Sequence, residues 1–190
     1  MPKSRVEAFT DAVIAIIMTL LVLEIHQPAG AEFKDLLAVS HKFVIYVVSF
    51  VFLAIYWNSH HHLFHLVTKV NGRVLWANNF FIFSLSLFPF ATAWVSDHFL
   101  NLVPQVTYGA VFFLANVAYY TLYKALSSAH QNEESFQNYK KDLQKMYLSI
   151  FGMLFGILLG FLINPLLIFV VIVLILLLWL IPDRHTENLF

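Results

Sequence analysis

Six long apolar runs separated by short polar breaks constrain this chain more than any other feature. They fall at about 6–25, 43–66, 74–96, 105–126, 146–163 and 166–181. A helix needs roughly 20 predominantly apolar residues to cross a bilayer, and each run approaches or exceeds that length. Inside hydrocarbon only helices and closed barrels satisfy every backbone N–H and C=O. The runs are continuous rather than alternating in ten-residue segments, which excludes a barrel. The expected fold is all-α, a six-helix transmembrane bundle in one domain over residues 1–190. Charge supports this. Only 12% of residues are charged and 60% are hydrophobic, against about 25% charged in soluble domains. So few charges cannot cover a water-facing surface. Cysteine is absent, which removes disulfides and thiolate metal sites.

The breaks set the order of the helices. They lie at Glu24–Lys42, Thr68–Arg73, Asp97–Pro104, Lys124–Lys145 and Asn164-Pro165. The last is so short that the fifth and sixth helices must form a hairpin. Ser127–Lys145 is the longest polar stretch and reads as a helix lying along the membrane surface. Lys and Arg are retained on the cytoplasmic side. With the N-terminus inside, Lys3, Arg5, Lys69, Arg73, Lys124, Lys140, Lys141, Lys145 and Arg184 are cytoplasmic, and only Lys34 and Lys42 fall outside. Both termini are therefore expected in the cytoplasm. The start of the chain imitates a signal peptide through Lys3, Arg5 and Ala29-Gly30-Ala31. Glu7 and Asp11 do not suit a positively charged leader, so a permanent first helix is expected.

That first helix carries two faces. At 100° per residue, Ile16, Leu20 and Leu23 lie within about 60° of one another, with Ala12 and Thr19 beside them. Asp11 lies about 140° from Ile16. One face is an aliphatic stripe with a single hydroxyl, and the other carries an acid. An intramembrane carboxylate costs about 2.5–3.5 kcal/mol on insertion scales and normally faces a partner inside the bundle. His60 near the end of the second helix and Asn78 near the start of the third share the inner third of the bilayer with Asp11. A hydrogen-bonded cluster of Asp11, His60 and Asn78, with Arg5 turned toward Asp11 or another acid, is expected. It can brace helices or relay protons.

Other patterns are plainer. His61 and His65 have the i, i+4 spacing of metal ligands, but no acidic neighbour stands at helical spacing, so interfacial histidines are the expectation and no metal site. Gly152, Gly156 and Gly160 form a small-residue stripe on the fifth helix that permits close backbone approach. A phosphate loop, a supported Ser/His/Asp order and an HExxH sequence are all missing, so no enzyme is expected.

Arg5-x-x-x-Phe9-Thr10-Asp11 resembles the RxxxFSD signature of the transmembrane-protein-175 family of potassium channels, with Thr10 keeping the hydroxyl of the usual Ser. Trp57-x-x-His60, Trp76-x-Asn78 and Pro89-Phe90-x-Thr92 agree with it. The resemblance is specific in the first three helices and only hydropathic in the last three. It implies a homotetrameric cation channel whose pore is lined by helix one. Its constriction would fall on Ile16, with Leu20 and Leu23 extending the lining and Thr19 as the layer associated with potassium preference. Arg5, Phe9, Asp11, His60 and Asn78 would form the structural polar cluster. The partners implied are permeant potassium ions, the bilayer and further copies of the chain, with no nucleic acid and no cofactor. A second reading, a proton-coupled transporter using Asp11 and His60 as a relay, stays open, although inverted repeats and paired broken helices that would favour a carrier are not found.

Overall fold

The structure, a computed structural model, describes residues 2–67, 70–130 and 140–180. Among the described residues there is no strand, and eight helices follow one another. These are α1 (Lys3–Leu23), α2 (Phe33–Ala38), α3 (Ser40–His65), α4 (Gly72–Ser86), α5 (Phe88–Asp97), α6 (Leu102–Ala129), α7 (Lys140–Leu162) and α8 (Leu166–Leu180).

The apolar runs all appear as helix, with three differences from the sequence expectation. The third run is two helices, α4 and α5, that meet at Leu87. Pro89 is the reason. It has no N–H to donate to the Leu85 carbonyl and its ring crowds that carbonyl, but it is well tolerated in the first turn of a new helix. Together α4 and α5 still make one apolar span, Gly72–Asp97. The second difference is α2, a single short helix inside the first polar break, closed by a capping box between Glu32 and Asp35. The third is that α7 begins at Lys140 and α6 runs to Ala129. The ends of the presumed surface segment therefore extend the spanning helices, and residues 131–139 lie outside the description.

Among the described residues five spans, counting α4 and α5 as one, are long and apolar enough to cross a bilayer. The sixth, α8, is wholly apolar and described over 15 residues, or about 22 Å at 1.5 Å per residue. Its expected last residue, Ile181, lies outside the described residues, as do Lys69 and Arg184. Asn164 turns the α7–α8 hairpin by accepting the Leu166 N–H at 2.9 Å.

Helix α6 is the central post and packs against α4, α5, α7 and α8. Its buried Tyr108, Phe112 and Tyr119 mesh with Phe52 and Tyr56 of α3, Phe81 of α4 and Phe88 of α5. One polar knot crosses this aromatic core. Ser49 Oγ lies 2.8 Å from Thr92 Oγ1 and 2.7 Å from Tyr108 Oη, tying α3, α5 and α6. At the same end, Lys42 bonds Asp97 and His41 Nε2 lies 3.2 Å from the Ser96 carbonyl. Those contacts join the start of α3 to the end of α5.

The glycine stripe of α7 faces α8. A Cβ at Gly156 would stand 2.9 Å from Val171, and one at Gly160 only 2.5 Å from Ile168. Helices that approach so closely gain dispersion contact along their whole backbone, which is what small residues provide between membrane helices.

Candidate functional site

Helix α1 packs on α3, α4 and α5 through one stripe only: Val6, Thr10, Ile14, Ile17 and Leu21. Those positions recur at i, i+4, i+8, i+11 and i+15, one face of an α-helix. The opposite face is left uncovered. Ile16, Leu20 and Leu23 are 58%, 42% and 75% exposed, and Ala12 and Thr19 beside them are exposed as well. Thr19 donates its hydroxyl proton to the Ile16 carbonyl at 2.8 Å. A hydroxyl has one proton and two lone pairs, so what Thr19 offers outward is oxygen lone pairs.

Behind this face lies the polar network, and it differs from the sequence expectation in its membership. Thr10 stands at its centre. Asn78 Nδ2 donates to Thr10 Oγ1 at 2.9 Å, and Thr10 in turn donates to the Val6 carbonyl at 2.9 Å. The carbonyl of Asn78 lies 3.0 Å from His60 Nε2. Because that carbonyl can only accept, the His60 proton at this contact is on Nε2. Thr10, His60 and Asn78 are all buried. Phe64 and Phe81 stack on the imidazole at 4.3 and 5.8 Å, which fixes the plane of the ring. The chain of bonds joins α1, α4 and α3.

Asp11 is not in that chain. It is half-buried and accepts instead from Trp57 Nε1 at 3.0 Å. One residue of helix is a 100° turn. Thr10 therefore points into the bundle toward α4, while Asp11 reaches its rim toward α3. The expected cluster of Asp11, His60 and Asn78 is thus corrected to two neighbouring anchors, Thr10–Asn78–His60 and Asp11–Trp57. Arg5 and Phe9 belong to neither. Phe9 is 56% exposed, and Arg5 is exposed with no carboxylate within 4.0 Å among the described residues, since Glu7 pairs with Lys3. Sequence reasoning noted Thr10 only as a motif letter. Its signal was the wheel itself, which sets Thr10 on the Val6–Ile14–Ile17 stripe.

His61 and His65 stand one turn apart with their Nε2 atoms at 3.1 Å. No group of three or more His, Cys, Asp or Glu that could hold a metal ion occurs among the described residues.

A family model described as the endosomal/lysosomal potassium channel TMEM175 matches residues 5–89, a stretch that contains every candidate residue from Arg5 to Asn78. A potassium channel of Chryseobacterium sp. (strain P1-3) is 38% identical over 187 residues, 98% of this chain and 97% of that protein. The chain belongs to the TMEM175 family. The human relative, an endosomal/lysosomal proton channel TMEM175, is 38% identical over 79 residues, 35% of this chain and 16% of that protein. The crystal structure of a lysosomal potassium-selective channel TMEM175 homolog from Chamaesiphon minutus superposes with a TM-score of 0.79. That likeness covers 94% of this chain and 96% of the other at 24% identity, and it establishes the TMEM175 fold. The family match ends at residue 89, near the Leu87 break, which agrees with motifs that are specific only in the first half of the chain.

Proposed function

We propose that this TMEM175-family protein is a passive, potassium-permeable channel of the cell membrane. Four copies surround a pore lined by α1, and both termini lie in the cytoplasm. The observation that carries the reading is the uncovered Ile16–Leu20–Leu23 face on the very helix that holds the family motif. The buried face of α1 is pinned by hydrogen bonds through Thr10 and Asp11. The helix therefore cannot easily roll to hide its aliphatic stripe, and the stripe is left for other copies of the chain.

The chemistry of such a pore follows from its lining. Three aliphatic layers at i, i+4 and i+7 extend over about 10 Å at 1.5 Å per residue. An ion there must keep its water or surrender it to groups that cannot coordinate it, so the closed state is dewetted. Ile16 is the narrowest ring. Thr19 lies between Ile16 and Leu20 in sequence and adds an oxygen ligand, its lone pairs facing outward because its proton is engaged by Ile16. Such a ring of oxygens is the only local basis for preferring potassium over sodium.

Ion flux into liposomes bearing the purified protein tests this, with potassium, sodium and proton movements recorded separately. Fast, non-saturating potassium flux is expected, and Ile16→Asn should raise it by wetting the constriction. Slow, saturating exchange coupled to a proton gradient would contradict the channel and favour a carrier built on Asp11 and His60.

A further inference from the structure

On the side of the bundle where α1 begins, an open groove of about 1470 Å³ runs between α4, α6 and the start of α7. It exceeds the roughly 300–1,000 Å³ of small-molecule pockets. Its position in the bilayer follows from the bonds already described. Arg73, in the first turn of α4, precedes Asn78, which is bonded to Thr10. Lys124 follows Tyr119, whose hydroxyl donates to the Ser59 carbonyl near the end of α3 at 3.1 Å. Both cations therefore stand at one membrane–water interface.

The lining has a distinct chemistry. Arg73 and Lys124 line the groove and, among the described residues, no Asp or Glu does. Elsewhere, Lys3, Lys34 and Lys42 each pair with a carboxylate. Among the described residues, Arg73 and Lys124 do not, and Lys124 lies instead 5.2 Å over the ring of Tyr120. Tyr120 and Tyr147 share a hydrogen bond at 2.8 Å on the groove wall. Trp76 is 77% exposed at the mouth. Tyr and Trp at this depth are the residues that sit at lipid headgroups. Phe80 lies two turns deeper than Arg73, about 10 Å at 1.5 Å per residue, and continues the wall as apolar surface toward the bilayer interior.

We propose that this groove is a binding site for an anionic glycerophospholipid of that leaflet. Its phosphate would be held by Arg73 and Lys124 and its acyl chain laid along Phe80. Basic pockets between membrane helices recognise anionic headgroups in this way. A soluble phosphate would leave the apolar wall uncovered.

The test is lipid binding by delipidated protein in detergent, followed by native mass spectrometry and by thermal unfolding. Phosphatidylglycerol should bind and raise the unfolding temperature, whereas phosphatidylcholine should do neither. Arg73→Gln or Lys124→Gln should each weaken phosphatidylglycerol binding by about fivefold, the value of one cation near a membrane surface, while Lys34→Gln leaves it unchanged. Equal binding of the two lipids by the wild-type protein overturns the proposal without any variant. So does undiminished phosphatidylglycerol binding by both groove variants. Competition by free glycerol phosphate at the same concentration would reduce the groove to a phosphate site. A changed oligomeric state in place of lost lipid would make it a subunit interface. Either outcome also overturns the proposal.

Discussion

Helices α1 and α7 are equally uncovered, each with 28% of its most apolar stretch buried in the chain, yet their free faces differ in kind. The free face of α7 from Leu148 to Leu162 holds only Leu and Phe: Leu148, Phe151, Leu154, Phe155, Leu158, Phe161 and Leu162. Bulky, uniform and without an oxygen, it is a surface for lipid tails. The free face of α1 sets Ala12 and Thr19 beside Ile16, Leu20 and Leu23. Small residues and a hydroxyl suit a close approach of helices or a passage for ions, and lipid asks for neither. Their hidden faces differ as well. That of α7 is a glycine stripe fitted to α8, whereas that of α1 is pinned by side-chain hydrogen bonds to α3 and α4. Exposure alone does not identify a functional face. The residue types on it, and what holds the helix from turning, do.

The comparison can be broken first at the hidden face of α7. Gly156→Leu places a side chain where even a Cβ would lie 2.9 Å from Val171. Overpacking costs about 1–3 kcal/mol, and this site should sit at or beyond the top of that range. Loss of folded protein in detergent, read by size-exclusion yield and unfolding temperature, is the expected outcome, and a fully stable variant would refute the α7–α8 fit.

A smaller loss is expected at the hidden face of α1. Asn78→Ala leaves His60 and Thr10 without their partner, and a buried group so stranded costs about 1–3 kcal/mol. Asp11→Ala removes one bond at the rim, to Trp57, and should cost less, about 0.5–1.5 kcal/mol. Thermal unfolding of the two variants side by side checks the ranking. If Asp11→Ala proves the more damaging, the acid and not Thr10 is the main anchor of α1. An Asp11→Ala protein that assembles normally but no longer conducts would place the carboxylate in the permeation path.

The subtlest effect is expected at Thr19. Thr19→Ala removes the one oxygen beside the aliphatic rings and should lower the potassium-to-sodium preference with little change in stability. The shift of reversal potential under potassium and sodium gradients measures it, and an unchanged value would place selectivity elsewhere.

The all-helical fold and the order of its apolar segments were legible because hydropathy over about 20 residues is a property of each segment alone. The same holds for the two-faced character of α1, since Ile16, Leu20 and Leu23 share a side by helical geometry whatever surrounds them. Partner choice was less legible. The expectation joined Asp11 to His60 and Asn78 because a membrane acid needs a partner and those residues share its depth. The structure gives Asn78 to Thr10 and Asp11 to Trp57. Depth constrains position along the membrane normal, but which neighbour a side chain meets depends on how α3 and α4 are rotated against α1, and that rotation is a product of packing. The Leu87 break was signalled by Pro89, yet whether a proline bends a helix or restarts it depends on its neighbours. The Ser49–Thr92–Tyr108 knot left no local trace, because its members come from three separate helices.

The central claim is that the free face of α1, unlike that of α7, borders the ion path and is wetted when the channel opens. The chain contains no cysteine, so single substitutions report without background. The decisive measurement is the rate at which a membrane-impermeant thiol reagent modifies Leu20→Cys and Leu158→Cys in reconstituted protein, with potassium current recorded during exposure. The account predicts that Leu20→Cys reacts and its current falls as the modified side chain fills the pore, while Leu158→Cys stays unmodified in lipid. Rapid modification at Leu158→Cys with none at Leu20→Cys would contradict it.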